Sequence, residues 1–179
     1  VLSKLRSVVP EEDVLDSLEE RICYASAATR RESLPDVVIK PVTVQQVQEV
    51  LRIANEQKIP VTPRGAGTGL GGGAVPIKGG ILLVFEKMNK ILEIDDVNLL
   101  AIVEPGTVTA TLHEEVEHLN LFYPPDPSSL KVSTIGGNIA HCAGGPRALK
   151  YGVTGNYTMG LEVVLPNGEV MNVGGRTVK

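Results

Sequence analysis

Apolar residues recur with two different periods along the chain, and each change of period marks a change of predicted element. A stripe of Val14, Leu15, Leu18 and Ile22 at helical spacing predicts a helix over residues 10–23. The acidic residues that open this segment suit the positive end of a helix.

A β-α-β unit is predicted next. Val37–Ile39 is a short apolar run between two prolines, which predicts a buried strand. Thr43 and Gln46 have the spacing of a capping box, and a helical apolar stripe follows them. Residues 58–62 then predict a second strand, parallel to the first and paired with it.

The remainder of the chain predicts mainly antiparallel structure. The predicted elements are a strand at 81–84, a hairpin of Leu92–Asp95 with Ala101–Glu104, a helix capped by Thr109 that carries Leu112, Val116 and Leu119, and a hairpin of Leu161–Leu165 with Val170–Val173. Residues 122–147 predict irregular structure. The expected fold class is therefore α+β, with a small parallel β-α-β unit followed by a mainly antiparallel sheet with helices.

We divide the chain into a helical segment at residues 1–32 and a main domain at 33–179, whose subdomains cover about 33–85 and about 86–179. The length suits one domain or two small subdomains that share an interface. The first residue is Val1 and not Met, so we expect a processed or excised piece of a longer protein.

Composition narrows the class of function. The chain has 17 Lys and Arg against 21 Asp and Glu, a net charge of -4, and only 3% aromatic residues, which argues against binding to nucleic acid. No apolar stretch approaches the roughly 20 residues of a membrane span, and no signal peptide is visible. We expect a cytoplasmic protein, either free or attached peripherally to a membrane as part of a complex.

Glycine is distributed unevenly, since all 19 glycines lie at or after Gly65 and six of them lie in PRGAGTGLGGG at 63–73. Gly67, Gly69 and Gly72 have the GxGxxG spacing of a dinucleotide fingerprint, which requires a strand before it and a helix after it. Proline and glycine interrupt the segment that follows, so no helix is predicted there. A Rossmann fold is therefore excluded.

The remaining interpretations of this loop are an anion-binding nest of backbone amides and a flexible surface loop or hinge. In the first case Thr68 adds a hydroxyl donor and Arg64 offsets the negative charge. A second region favours the first case. PPDPSS at 124–129 and STIGGNIAHCAGG at 133–145 combine rigid, small and hydrogen-bonding residues, as the wall of a flat, extended ligand requires.

Four motifs in order carry a family resemblance: the glycine-rich loop, PPDPSS, STIGGNIAHCAGG and KYGVTGNYTMGLEVVLPNGEVMNVGG at 150–175. Over roughly residues 33–177 the chain resembles the FAD-binding domain of the vanillyl-alcohol oxidase and p-cresol methylhydroxylase superfamily. Within it the chain is similar to the branch of FAD-linked oxidases that contains glycolate oxidase and D-lactate dehydrogenase.

The resemblance implies FAD as the cofactor, with contacts from five groups of residues beside Arg64. They are Gly65, Ala66, Gly67, Thr68 and Gly69 at the pyrophosphate; Pro125, Asp126 and Ser129 beside the ribityl chain and flavin; Thr134, Gly136, Gly137 and Asn138 near the flavin, with Ala143 and Gly144 in the second wall; Tyr151 and Gly152 before the last hairpin; and Glu162 and Val163 at the adenine end. The loop has no His for covalent attachment, so the resemblance implies noncovalent FAD.

The resemblance also implies oxidation of a 2-hydroxy acid of the glycolate or D-lactate type by hydride transfer to FAD. In the family a substrate-binding half follows the FAD domain, so we expect the catalytic residues and any metal site outside this chain. The expected partners are the small-molecule hydroxy acid, bound through that half, and other oxidase subunits or an electron acceptor. Two alternatives stay open: a related flavoenzyme of the alditol oxidase or alkylglycerone-phosphate synthase type, and a non-catalytic nucleotide-binding module.

Isolated His and Cys residues are interpreted as structural. His113 and His118 are predicted to face solvent on their helix. Cys142 is predicted to be a small packing residue, and its distance from Cys23 in the sequence does not match a metal-ligand spacing. No metal site is expected within the chain.

Overall fold

The computed structural model of the protein describes residues 1–29 and 31–177. Its helices are α1 (Leu2–Arg6), α2 (Leu18–Ile22), α3 (Val44–Gln57), α4 (Thr109–His118), α5 (Ile135–His141) and α6 (Ala148–Tyr151), with 3₁₀ turns at Glu11–Asp13 and Thr154–Tyr157. Its strands are β1 (Val14–Leu15), β2 (Val37–Ile39), β3 (Val61–Arg64), β4 (Ile81–Val84), β5 (Ile91–Asp95), β6 (Leu100–Val103), β7 (Gly160–Val164) and β8 (Val170–Gly174). The expected α+β class is confirmed.

The first half of the chain forms a four-stranded sheet with the order β1-β2-β4-β3. Strands β2 and β3 are parallel, as predicted, but they are not neighbours, because β4 lies between them and pairs with both. The predicted pairing of β2 with β3 is therefore wrong. All four residues of β4 are apolar and buried. Such a strand is typical of the interior of a parallel sheet, where other strands flank it and packed elements cover both faces.

The helix predicted over residues 10–23 is also wrong. Val14 and Leu15 instead pair antiparallel with Ile39 and Val38 at the edge of the sheet. Within the predicted segment, Glu11–Asp13 forms a 3₁₀ turn and Leu18–Ile22 forms a short α-helix that Ser17 caps. The apolar stripe fits either element, and pairing with β2 buries Val14 to 4% exposure.

Helix α3 forms as predicted. The Thr43 hydroxyl accepts a hydrogen bond from the Gln46 N–H at 3.3 Å, and the Gln46 side chain accepts one from the Val42 N–H at 2.7 Å. The helix ends at Lys58, which adopts a left-handed conformation with φ 55°. Because Lys58 forms the cap, β3 begins three residues later than the predicted strand, at Val61.

The main apolar core lies between the sheet and helices α1 and α3. Leu5 and Val9 from the N-terminal segment are buried in it with Val50 and Ile39. On the opposite face of the sheet, Val38, Leu82 and Val84 are covered by Leu15 and Tyr24. Residues before position 32 thus pack on both faces of the sheet.

Both predicted hairpins are confirmed, with ends that shift by one residue. Thr109 does not cap α4. It is the first residue of the helix, and its hydroxyl donates a hydrogen bond to the Ser133 carbonyl at 2.9 Å. The hairpin of β7 and β8 contacts α3 through its turn, where the Gln48 side chain donates to the Gly168 carbonyl at 2.8 Å.

Helix α5 lies inside residues 122–147, which are predicted to be irregular, so the prediction is wrong at Ile135–His141, whereas no helix or strand forms at 122–134. Two glycines in seven residues disfavour a helix by about 1 kcal/mol each. A Thr134 cap and the burial of Ile135 to 5% exposure offset this cost. Within residues 1–29 and 31–177, no helix has the length and apolar character that a membrane crossing requires.

Candidate functional site

The glycine-rich loop leaves the end of β3 and reaches β4 without forming a helix. Gly67 and Gly72 have φ of 72° and 77°, values that glycine adopts without strain. In the described part of the chain, none of the backbone N–H groups of residues 65–74 donates a hydrogen bond. Backbone N–H groups that have no acceptor within the protein are available to donate to an anion.

Arg64, at the start of the loop, lies against Gly67 and donates to backbone carbonyls of the protein. Its Nη1 atom donates to the Ser26 carbonyl at 2.7 Å, and the carbonyls of Tyr24 and Ala74 lie at 3.4 and 3.5 Å. Burial lowers the pKa of the guanidinium below its ordinary value, although Glu86 counteracts this, and the group remains charged. Arg64 therefore connects the two ends of the loop to the N-terminal segment.

The N-terminal segment also holds the middle of the loop, because the Ala28 N–H donates to the Gly67 carbonyl at 2.9 Å. Sequence reasoning missed this contact. Residues 24–28 were assigned to a separate helical segment, and no motif in them signals an interaction about forty positions along the chain.

Beneath the loop, Tyr24 belongs to a small charged cluster. Its hydroxyl donates to Glu86 at 3.2 Å, and the same carboxylate oxygen lies 3.0 Å from Lys40 Nζ. Burial alone would lower the pKa of Lys40, but the hydrogen bonds to Tyr24 and Glu86 outweigh it and raise the pKa. The Arg64 guanidinium lies 5.8 Å from the centre of the Tyr24 ring, so this cluster supports the loop from below.

The loop touches the start of α5. A Cβ atom on Gly65 would overlap the hydroxyl of Thr134, so only glycine allows this approach. The first N–H groups of the helix already have acceptors. Ile135 donates to the Thr107 carbonyl at 2.8 Å, Gly136 to the Pro105 carbonyl at 2.8 Å, and Gly137 to the Thr134 hydroxyl at 3.2 Å. This helix start therefore presents no free donors for an anion.

The Asn138 side chain lies in a buried hydrogen-bonded cluster. It is 3% exposed, and its Nδ2 donates to the Thr109 hydroxyl at 2.7 Å. Thr109 in turn donates to the Ser133 carbonyl. The cluster fixes α4 against α5, and the Asn138 backbone is also engaged, since its N–H donates to the Thr134 carbonyl at 2.8 Å.

PPDPSS is held from beneath by His113. This residue is 7% exposed, and its Nε2 lies 2.8 Å from the Pro125 carbonyl. The prediction that His113 faces solvent is therefore wrong. The physical reason is that the Pro125 carbonyl gives the imidazole a hydrogen-bond partner inside the protein. The Tyr123 ring packs edge-on against the imidazole at 5.4 Å between centroids, and burial raises the pKa of Tyr123 to about 12.

The outer surface of PPDPSS borders a shallow cleft of about 340 Å³, which Ser129 and Lys131 help to line. Asp126 lies at its edge and pairs with Arg147 at 3.3 Å. Gly145 has φ 133° and packs against the Asp126 carbonyl, where a Cβ atom would overlap the oxygen. Ala143 accepts from the Thr154 hydroxyl at 2.7 Å, and Gly144 lies next to it in the chain.

The remaining predicted contacts lie further along the chain. Tyr151 is exposed, with its ring edge-on to Phe122, and Gly152 follows with φ 88°. Glu162 is exposed on β7, and Val163 is its neighbour on the opposite face of the strand. No hydrogen bond or ion pair within the described residues links this hairpin to the glycine-rich loop.

The structure thus brings three of the predicted groups together. The loop contacts Thr134, and the Ser133 N–H next to it donates to the Ser129 carbonyl at 2.8 Å, which joins PPDPSS to the same surface. Cys142 is exposed and lies outside the core, and it ends α5 in a left-handed conformation with φ 47°. The residues that the structure describes contain no group of three or more His, Cys, Asp and Glu side chains suited to hold a metal ion.

Comparisons with known proteins agree with this arrangement. A family model described as "FAD binding domain" matches residues 35–174. Glycolate oxidase subunit GlcD of Bacillus subtilis (strain 168) is 48% identical over 180 residues, which cover all of this chain and 38% of that protein. D-lactate dehydrogenase of Anaerostipes hadrus is 39% identical, with the same coverage of 100% and 38%.

Among solved structures, p-cresol methylhydroxylase with substrate bound superposes with a TM-score of 0.84 and 31% identity, over 97% of this chain and 34% of that one. The chain therefore spans a little over a third of the length of the relatives it matches.

Proposed function

Because the chain belongs to the family of FAD-binding domains, we propose that its glycine-rich loop binds the pyrophosphate of FAD noncovalently. The observation that carries the proposal is the run of unused N–H groups at residues 65–74. A pyrophosphate offers several charged acceptors close together, and each backbone donor directed at one adds a charge-assisted hydrogen bond. The FAD contacts of the individual site residues remain proposals.

The loop fits this cofactor sterically as well. No atom lies within 4 Å of a Cβ position at Gly72, so the backbone is open there to a ligand that approaches closely. Because Gly65 contacts Thr134, the loop lies beside the segment at 133–145. Ser129 is joined to the same segment through its carbonyl, which accepts from the Ser133 N–H. A long, flat molecule bound at the loop has this segment beside it.

We further propose that the whole protein oxidises a 2-hydroxy acid of the glycolate or D-lactate type. The names of the two curated relatives, one from glycolate oxidase and one a D-lactate dehydrogenase, support this substrate class. When bound, the flavin supplies the two-electron acceptor for the hydride. The residues of this chain bind and orient the cofactor, and we place the groups that bind the hydroxy acid outside it.

The same relatives support an assembly. A relative named as a subunit suggests that the protein acts with other oxidase subunits or an electron acceptor. We propose a cytoplasmic location, free or peripheral to a membrane. The net charge of -4 disfavours nucleic acid as a partner.

Titration of the purified apoprotein with FAD tests the proposal, with flavin fluorescence and the visible spectrum as readouts. Gly67→Asp adds a carboxylate to the loop, and we expect it to weaken FAD binding at least about a hundredfold, because like charges would meet without water between them. Gly67→Asn has the same shape without the charge and separates charge from strain.

Gly175→Asp is the matched control, since Gly175 is exposed and no atom lies within 4 Å of its Cβ position. We expect it to bind FAD like the unchanged protein. Wild-type affinity in Gly67→Asp would contradict the loop assignment. A wild-type protein that takes up no FAD would contradict the proposed function itself.

A further inference from the structure

His141 lies against the glycine-rich loop. It is the last residue of α5, and the tip of its imidazole ring faces three glycines of the loop. A Cβ atom on Gly69 would lie 3.4 Å from His141 Nε2, and one on Gly73 would lie 3.5 Å from Cε1. At Gly71 the nearest atom is again His141 Cε1, at 3.9 Å. The side chain is exposed, so the ring lies on the surface of the loop and not in the core.

Three side chains lie nearest to the glycines of the loop, and they differ in what they can offer a ligand. They are Thr134 at Gly65, Arg64 at Gly67, and His141 at Gly69, Gly71 and Gly73. Arg64 is half-buried and donates to protein carbonyls on its Nη1 side. His141 is thus the one side chain of these three that is both exposed and able to carry a positive charge beside the unused N–H groups.

We propose that His141 is a cofactor-binding residue, whose imidazole N–H donates a hydrogen bond to the pyrophosphate held on the loop. This inference rests on the proposed function. It assigns the side-chain donor that the backbone nest needs, in a chain whose net charge of -4 disfavours a phosphate ligand. Neutral imidazole has one N–H and the imidazolium has two, so the ring can donate in either form.

Three variants separate hydrogen bonding from packing. His141→Phe keeps a ring on the glycines and removes the donor, so we expect FAD affinity to fall about tenfold, as a lost hydrogen bond to a charged group predicts. His141→Gln keeps a donor at similar reach, and we expect it to bind within about threefold of the unchanged protein. His118→Phe is the matched control, since His118 is exposed at the end of α4.

Competition with fragments of the cofactor locates the contact. ADP carries the two phosphates and riboflavin carries none, so His141→Phe should weaken binding of ADP and leave binding of riboflavin unchanged. Thermal melting of the unliganded variants shows whether the fold has been preserved.

Wild-type affinity in His141→Phe would overturn the proposal. So would equal losses in His141→Phe and His141→Gln, because they would show that a hydrogen-bond donor at this position does not restore FAD affinity. If the wild-type protein binds FAD and the His141 variants give either of these results, the proposed function stands and only the role of His141 is contradicted. If the wild-type protein binds no FAD, both proposals fail.

Discussion

Two glycine-rich regions of this molecule have similar compositions and use glycine for different reasons. In the loop at residues 65–74, backbone N–H groups are unused, and no atom lies closer than 3.9 Å to the Cβ positions of Gly71 and Gly72. In the segment at 133–145, the first N–H groups of α5 are satisfied, and Gly136 and Gly145 lie against other backbone. The first region is the one that we propose receives a ligand, whereas the second brings protein segments together.

Individual glycines show the contrast. At Gly72 no atom lies within 4 Å of the Cβ position, whereas at Gly136 a Cβ would lie 2.8 Å from the Pro105 carbonyl oxygen. At Gly145 it would overlap the Asp126 carbonyl. Glycine content alone therefore does not distinguish the two regions, whereas the hydrogen-bond status of their N–H groups does.

The largest expected effect is on stability in the second region. Gly145→Ala places a methyl group onto the Asp126 carbonyl at a backbone with φ 133°, so we expect the free energy of unfolding to fall by about 3 kcal/mol or more. Urea unfolding measures this loss. Gly175→Ala, at an exposed glycine without close neighbours, should change stability by less than about 0.5 kcal/mol. Equal stability of the two variants would show that the close contact at Gly145 does not contribute to stability.

A smaller and different effect is expected in the loop. Gly71→Ala adds a methyl group where the nearest atom lies 3.9 Å away, so stability should change by less than about 0.5 kcal/mol. The methyl group occupies space at the proposed phosphate site, and we expect FAD affinity to fall about fivefold, which corresponds to about 1 kcal/mol. Fluorescence titration and urea unfolding of the same preparation measure both quantities. A loss of stability without a loss of FAD affinity would show that Gly71 is needed for packing and not for binding.

The smallest expected effect is on the pH dependence of stability, through Tyr123, which packs against His113 next to PPDPSS. Burial raises the pKa of Tyr123 to about 12, so the folded protein holds this proton more tightly than the unfolded chain, where the pKa is about 10. The unfolded state therefore binds fewer protons between these values, and stability falls as pH rises from about 10 towards 12. The slope of the unfolding free energy with pH corresponds to the number of protons released on unfolding. In this window we expect Tyr123→Phe to reduce that number by up to about one. Identical slopes for the two proteins would show that Tyr123 ionises as freely in the fold as in the unfolded chain.

Much of the fold follows from local sequence. The Thr43 cap, the all-apolar run of β4 and the turns of both hairpins specify their elements through short-range hydrogen bonds and side-chain periodicity, and these predictions are confirmed. Two segments differ. Val14 and Leu15 fit a helix or a strand until β2 offers them an edge, and α5 contains two glycines that argue against a helix until its cap and contacts offset them.

The candidate site divides in the same way. The sequence alone determined that a glycine-rich loop follows a strand without a helix behind it, which excluded the Rossmann arrangement and led to the resemblance with FAD-binding domains. That information is local, since a strand, a loop and the absence of a helix are properties of neighbouring residues.

Only the tertiary structure decided how the loop is held and which side chains face it. Arg64 is turned towards the Ser26 carbonyl, Ala28 bonds to Gly67, and His141 lies over the glycines from a helix about seventy positions away. Each of these contacts joins residues that are distant in sequence. Their partners are set by the packing of the sheet and α5, a three-dimensional arrangement that no spacing along the chain records.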